Sequence, residues 1–279
     1  MTSAAFDVLG IGNAIVDVIT HADDSFLTKH ALVKGSMTLI DEAQAETLYG
    51  AMGPGVEISG GSCGNTIAGV ASFGGKGAYV GKVRNDQLGA VFGHDLRATG
   101  VTFDTAQATE GPSTARCLIV VTPDAQRTMN TYLGACTRLG PADIDTQLVA
   151  SARVTYVEGY LWDQAPAMDA FRAAADAAHV ANRRVALSLS DSFCVERHRD
   201  AFLDLIEREV DINVAGSAKV RAHMGGDVAA KLSGKGDYAP QPAEQGAAPA
   251  SPGAAARRWR HSRSAAARAA LRGRARRDD

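Results

Sequence analysis

The stretch Gly60–Gly89, GGSCGNTIAGVASFGGKGAYVGKVRNDQLG, constrains this chain more than any other, because it spells a turn, a helix, a strand and the start of a second helix. Gly60 and Gly61 permit a sharp reversal and Ser62 is a good N-cap. Ile67, Val70 and Ala71 recur at helical spacing, and Gly74-Gly75 ends the helix. Ala78–Val83 then reads as a short buried strand. A glycine pair ahead of a helix aims backbone N–H groups at whatever approaches, which suits hydroxyls or anions, and Asn65 faces the same cleft. Equally, the glycines can serve only the turn and Asn65 only the backbone.

This unit belongs to a longer alternation. Phe6–Gly12 is an apolar run stopped by glycine, as a first buried strand would be. Asn13 and Asp17 follow at its carboxyl end, the edge where open α/β sheets bind ligands, so both are placed for polar contact with a substrate; a turn-capping Asp17 is the alternative. Gln87–Thr99 reads as a helix, Pro141 as a first helical residue, Val154–Val157 as a strand and Ala165–Val180 as a helix. Val185–Leu189 is a further strand, Cys194–Arg208 a helix, and Val210–Ile212 the start of another strand. Such alternation predicts an α/β fold, a mainly parallel sheet with helices on both faces. Residues 16–40 alternate in strand fashion around a polar middle, with Val33, Met37 and Leu39 on one face, and read as a small β-flap. Arg116–Val121 and Arg127–Tyr132, joined across Pro123-Asp124, read as a hairpin. The segments 16–40 and 115–132 together would make a lid.

The pattern stops at Ile212. A length of 279 residues, 46% of them apolar, allows a large core. Yet residues 1–212 carry 16 Lys and Arg against 26 Asp and Glu, whereas 213–279 carry 13 against 5. That tail has few apolar residues besides alanine, and 257–277 (RRWRHSRSAAARAALRGRARR) is basic and low in complexity, the composition of a disordered tail. Its charge would attract nucleic acid only through salt-sensitive contacts. With only Tyr238 and Trp259 for stacking, no specific nucleic-acid partner is expected.

Cys63, Cys117, Cys136 and Cys194 form no C-x-x-C pair and have no histidine at ligand spacing, which argues against a zinc site and a disulfide framework. No run approaches the ~20 apolar residues of a membrane span, and no basic leader opens the chain, so a cytoplasmic setting is expected. Two glycine motifs fail on spacing. Gly10-x-Gly12 lacks the third glycine of a dinucleotide fingerprint, where Ile15 stands. Gly75-Lys76-Gly77 has Val70 and Gly77 at positions where a phosphate-binding loop needs Gly and Ser or Thr.

Four stretches carry a resemblance in order and spacing: GNAIVD at 12–17, GGSCGNT at 60–66, the run to GKVRNDQLG at 81–89, and QRTMN at 126–130. Together they resemble the PfkB/ribokinase family of carbohydrate and nucleoside kinases, and within it the adenosine kinase branch, over residues 6 to about 212. The resemblance implies a ribokinase-like three-layer α/β sandwich with a β-lid. It implies ATP-dependent phosphoryl transfer, with Mg²⁺, to the 5′-hydroxyl of adenosine or a related ribosyl substrate. Asp17 would then accept hydrogen bonds from the ribose hydroxyls, Asn13 would support it, and Gly60, Gly61 and Asn65 would hold the other side of the sugar. Met37 and Leu39 would meet the base. Arg127 would approach the transferred phosphate, where a permanent planar cation offsets developing charge; by itself it reads as an exposed turn arginine.

The departures are equally specific. The family's general-base aspartate sits in a Gly-Ala-Gly-Asp run, and an Asn-x-x-Glu follows the strand that begins near Val210; neither run occurs here. Gly225-Gly226-Asp227 and Gly234–Asp237 lack a preceding strand and are poor replacements. A change of reading frame near Ile212 would account for both absences, and the chain is expected to be a catalytically impaired, truncated relative. Two other readings stay open: a non-catalytic nucleoside- or sugar-binding remnant, and another sugar kinase of ribokinase or fructokinase type. An incomplete parallel sheet also predicts exposed strand groups that favour aggregation. The oligomeric state is not legible.

Overall fold

The computed structural model describes residues 4–214; of the tail expected over 213–279, Asn213 and Val214 belong to a strand instead, and 215–279 lie outside the described residues. The chain opens with β1 (Phe6–Ile11) and passes through Gly12–Ala14 straight into β2 (Ile15–His21). A short helix α1 (Asp24–Lys29), β3 (Met37–Leu39), α2 (Glu42–Ala51) and β4 (Val56–Ser59) precede α3 (Ser62–Ser72), β5 (Gly77–Val80) and α4 (Gln87–Ala98). The hairpin β6 (Ala115–Val121) and β7 (Arg127–Tyr132) follows. Then come α5 (Thr146–Ser151), β8 (Ala152–Glu158), α6 (Ala165–Val180), β9 (Arg184–Ser188), α7 (Ser192–Arg208) and β10 (Ile212–Val214).

Among the described residues, the strands form two five-stranded sheets. The first, ordered β10-β9-β8-β1-β5, is parallel throughout. The side chains of β1 divide between its faces by the two-residue period of a strand. Leu9 and Ile11 join a core with Val157 and the alanine-rich face of α6, while Gly10 lies against Ile67 and Cys63 of α3. Helices therefore cover both faces, giving the expected three layers. Gly10 has no alternative: a Cβ there would stand 2.4 Å from Ile67 Cγ1.

The second sheet, ordered β3-β7-β6-β2-β4, is the lid. One of its faces buries Val16, Val18, Leu118 and Tyr132 in a core with Leu48 of α2 and Phe92 and Leu96 of α4. Three expectations need correction. Residues 16–40 are not strand throughout, because Asp23 caps α1, accepting from the Phe26 N–H at 3.2 Å, and Leu27 is buried. The strand expected over Ala78–Val83 ends at Val80. Gly61, not Ser62, is the N-cap of α3, with no side-chain cap bond. Among the described residues, no helix is long and apolar enough to cross a membrane.

Candidate functional site

The link from β1 to β2 crosses from the first sheet to the second, and the site forms at that crossing. Asp17 lies on β2 between Ile58 of β4 and Cys117 of β6 in the strand register. Immediately after β4, the backbone of Gly60 passes beneath it. A Cβ on Gly60 would stand 2.3 Å from Asp17 Cγ and 2.4 Å from each carboxylate oxygen. Gly61 has φ +79°, and a Cβ on it would meet the Asn13 carbonyl oxygen at 2.6 Å. The two glycines thus let the 13–17 and 60–61 backbones touch, bringing Asn13, Asp17, Gly60 and Gly61 together. Asn65 sits exposed one turn into α3, its N–H donating to the Gly61 carbonyl at 2.9 Å.

The glycine pair does not leave every nearby N–H open, as the sequence suggested. That of Gly60 donates to Ile15 O at 2.8 Å. That of Cys63, in the first turn of α3, donates to Glu158 Oε2 at 2.9 Å, and Asn13 N–H donates to Glu158 Oε1 at 2.7 Å. Glu158, at the carboxyl end of β8, is 1% exposed. Burial pushes its carboxyl up to about 7, against the pull of the two backbone N–H groups. The Tyr79 hydroxyl donates to Gly12 O at 2.9 Å, closing the same cluster. Glu158 carried one signal in the sequence, an acidic residue directly after the strand-like run Val154–Val157, where a charge needs a reason.

Register defines what lies beside Asp17. Ile58, Asp17, Cys117, Thr131 and Leu39 form one cross-strand row; Val56, Ile19, Ile119, Met129 and Met37 form the next; His21, Val121 and Arg127 form a third. Paired residues point to the same face, so all three rows share the face opposite the core. Met37, Leu39 and Val56 are 44%, 55% and 59% exposed, leaving part of this face open. A pocket of about 280 Å³ opens at the Leu39 and Thr131 end of the first row, with Ile40, Tyr132, Leu133 and Gly134 in its wall. Arg127 is exposed beside the hairpin turn, two rows from Asp17. The Cys117 thiol lies between them. Burial pushes it up to about 12, the Thr131 hydroxyl opposes that shift, the Asp17 charge adds to it and the Arg127 charge opposes it.

The two sheets and this crossing define a ribokinase-like α/β fold. A model of the pfkB family carbohydrate kinases matches residues 37–233, and the chain belongs to that family. It is 57% identical to the adenosine kinase from Sinorhizobium meliloti, whose crystal structure superposes with a TM-score of 0.70 over 75% of this chain and 64% of that one. A probable sugar kinase from Rhizobium etli is 49% identical, with a TM-score of 0.74 over 82% and 70% of the two chains. Adenosine kinase 2 from Arabidopsis thaliana is 25% identical over 202 residues, 69% of this chain and 57% of that protein. The chain thus spans about six tenths of the length of these adenosine kinases.

Proposed function

We propose that this chain is an adenosine-kinase-like phosphotransferase whose described residues form its nucleoside-binding half. The observation that carries the reading is the shared row from Asp17 to Thr131 and Leu39. Asp17 and the Thr131 and Leu39 side of the pocket lie on one face of the lid sheet, Thr131 two strand spacings or roughly 10 Å from Asp17. A ribonucleoside spans that separation with its ribose hydroxyls at Asp17 and its base at the pocket, whereas a single hexose does not. Asp17 accepts from the ribose hydroxyls, Gly60 and Gly61 let the sugar approach the backbone, and Asn13 and Asn65 flank it. Met37 and Leu39 cover the base. The probable sugar kinase among the similar structures keeps a sugar acceptor as the second reading.

The family chemistry uses ATP with Mg²⁺. Among the described residues, no group of three His, Cys, Asp or Glu side chains comes together to hold a metal ion. The Gly-Ala-Gly-Asp run has no match anywhere in the sequence. Arg127 remains as a cation for the transferred phosphate. Positioning and charge neutralisation each contribute several powers of ten to phosphoryl transfer, so a chain without the general base and its helix start turns over near background.

Calorimetric titration with adenosine, 2′,3′-dideoxyadenosine and fructose tests the binding half. Adenosine binds best, and Asp17→Ala removes its advantage over the dideoxy compound. Fructose binding equal to that of adenosine would overturn the nucleoside reading. Incubation with adenosine and Mg-ATP tests the chemistry, and AMP formation at ordinary kinase rates would overturn the impairment.

A further inference from the structure

The two chain segments assigned to the ribose meet where β2 pairs with β4: Val16 lies opposite Ser59, and the Gly60 N–H donates to Ile15 O at 2.8 Å. Beyond that pairing, their ends at Asn13 and Cys63 are tied together by one side chain. Glu158 takes the Asn13 N–H on one carboxylate oxygen and the Cys63 N–H on the other, at 2.7 and 2.9 Å. The space around it is filled. A Cβ on Gly12 would stand 2.9 Å from Glu158 Cδ and 2.4 Å from Cys63 Cβ, so the loop is pressed against the carboxylate that holds it. Tyr79 anchors the same loop through Gly12 O. Once ionised, the carboxylate is acceptor-only with two oxygens and suits two convergent N–H donors, and a buried charge persists only where such donors meet it.

We infer that Glu158 is a positioning residue for ribose binding: by tying Asn13 to Cys63 it completes, with the β2–β4 pairing, the gap between Asn13–Asp17 and Gly60–Asn65 and thereby the discrimination for ribose hydroxyls, without touching the nucleoside. The inference rests on the nucleoside reading above. An amide in its place presents one oxygen and one NH₂, so one backbone N–H faces another donor and that side of the gap opens. An aspartate keeps the charge but is one methylene shorter and reaches one segment only.

The test compares wild type, Glu158→Gln and Glu158→Asp by hydrogen exchange without ligand and by titration with adenosine and 2′,3′-dideoxyadenosine. Both variants are first checked for a cooperative thermal transition. Exchange is expected to rise in residues 12–17 and 60–66 of Glu158→Gln while β9 and α6 keep their protection. The adenosine preference falls by about tenfold, the size of one lost charge-assisted hydrogen bond, while dideoxyadenosine affinity is unchanged. Glu158→Asp falls between and, should the glutamine variant fail to fold, carries the comparison alone. A folded variant with wild-type exchange in both segments, or with the wild-type adenosine preference, overturns the inference. Wild type showing no adenosine preference overturns the nucleoside reading and the ribose role together; the exchange data still decide whether Glu158 couples the two segments.

Discussion

The carbonyl oxygen of Asn13 lies 2.6 Å from where a Cβ on Gly61 would stand, and Gly61 holds φ +79°. Two separate costs therefore fall on Gly61→Ala. Alanine at positive φ loses on the order of 1 kcal/mol. The obstructing atom is backbone, and it has little freedom to retreat because the Asn13 N–H is bonded to Glu158. A total loss of about 2–4 kcal/mol is expected, read as a lower urea midpoint at unchanged slope.

Gly60→Ala separates binding from folding. Here the obstructing atoms are the Asp17 carboxylate, a side chain with rotamers to choose from. The substitution is expected to destabilise by less than Gly61→Ala, about 1 kcal/mol, yet to turn the carboxylate away from the cleft. Adenosine affinity should fall at least about tenfold. Paired calorimetry and thermal unfolding check both halves; a variant with wild-type affinity would mean that Asp17 does not hold the ligand from this rotamer.

What could be read in advance followed from periodicity. β1, the hairpin β6–β7, α6 and α7 have long or alternating apolar patterns, and their bounds were legible within two residues. α1 was hidden because its one buried residue, Leu27, gives no period in six positions. α2 was missed although Asp41 and Gln44 form a reciprocal capping box, with Gln44 N–H to Asp41 Oδ1 at 2.7 Å, a signal that single-sequence reading can use. Motifs singled out Asn13, Asp17, Gly60 and Gly61, which the fold brings together, whereas Glu158 is brought to them by topology. Nothing near Glu158 in sequence says that it meets Asn13, 145 positions away.

Lys82 Nζ lies 2.5 Å from Asp143 Oδ1, with the two side chains only 15% and 10% exposed. Asp143 also accepts the Gly140 N–H at 3.0 Å through its other oxygen. Lys82→Met leaves that carboxylate buried without its counter-charge and should cost about 3 kcal/mol. Adding Asp143→Asn removes the stranded charge and should recover part of the loss. Denaturation of the two single variants and the double variant measures the coupling; strictly additive losses would mean that the pair is solvated.

The pH dependence of stability isolates the buried carboxylate. The Glu158 carboxyl sits at about 7 in the folded chain against an ordinary 4.5, raised by burial. Between those values the folded form keeps a proton that the unfolded form has released, so folding is favoured less as pH rises through the window. Below about 4.5 both forms are protonated and the cost vanishes; above about 7 both are ionised and it is constant, on the order of 3 kcal/mol. Glu158→Gln has no such term, and every other titrating group contributes alike to both proteins. The difference in unfolding free energy between wild type and Glu158→Gln should therefore shift against wild type from pH 4.5 to 7 and be flat beyond pH 8. Urea titrations at half-unit intervals measure it. Parallel curves across the window would place the Glu158 carboxyl at its ordinary value, and would mean that the two N–H donors offset its burial completely.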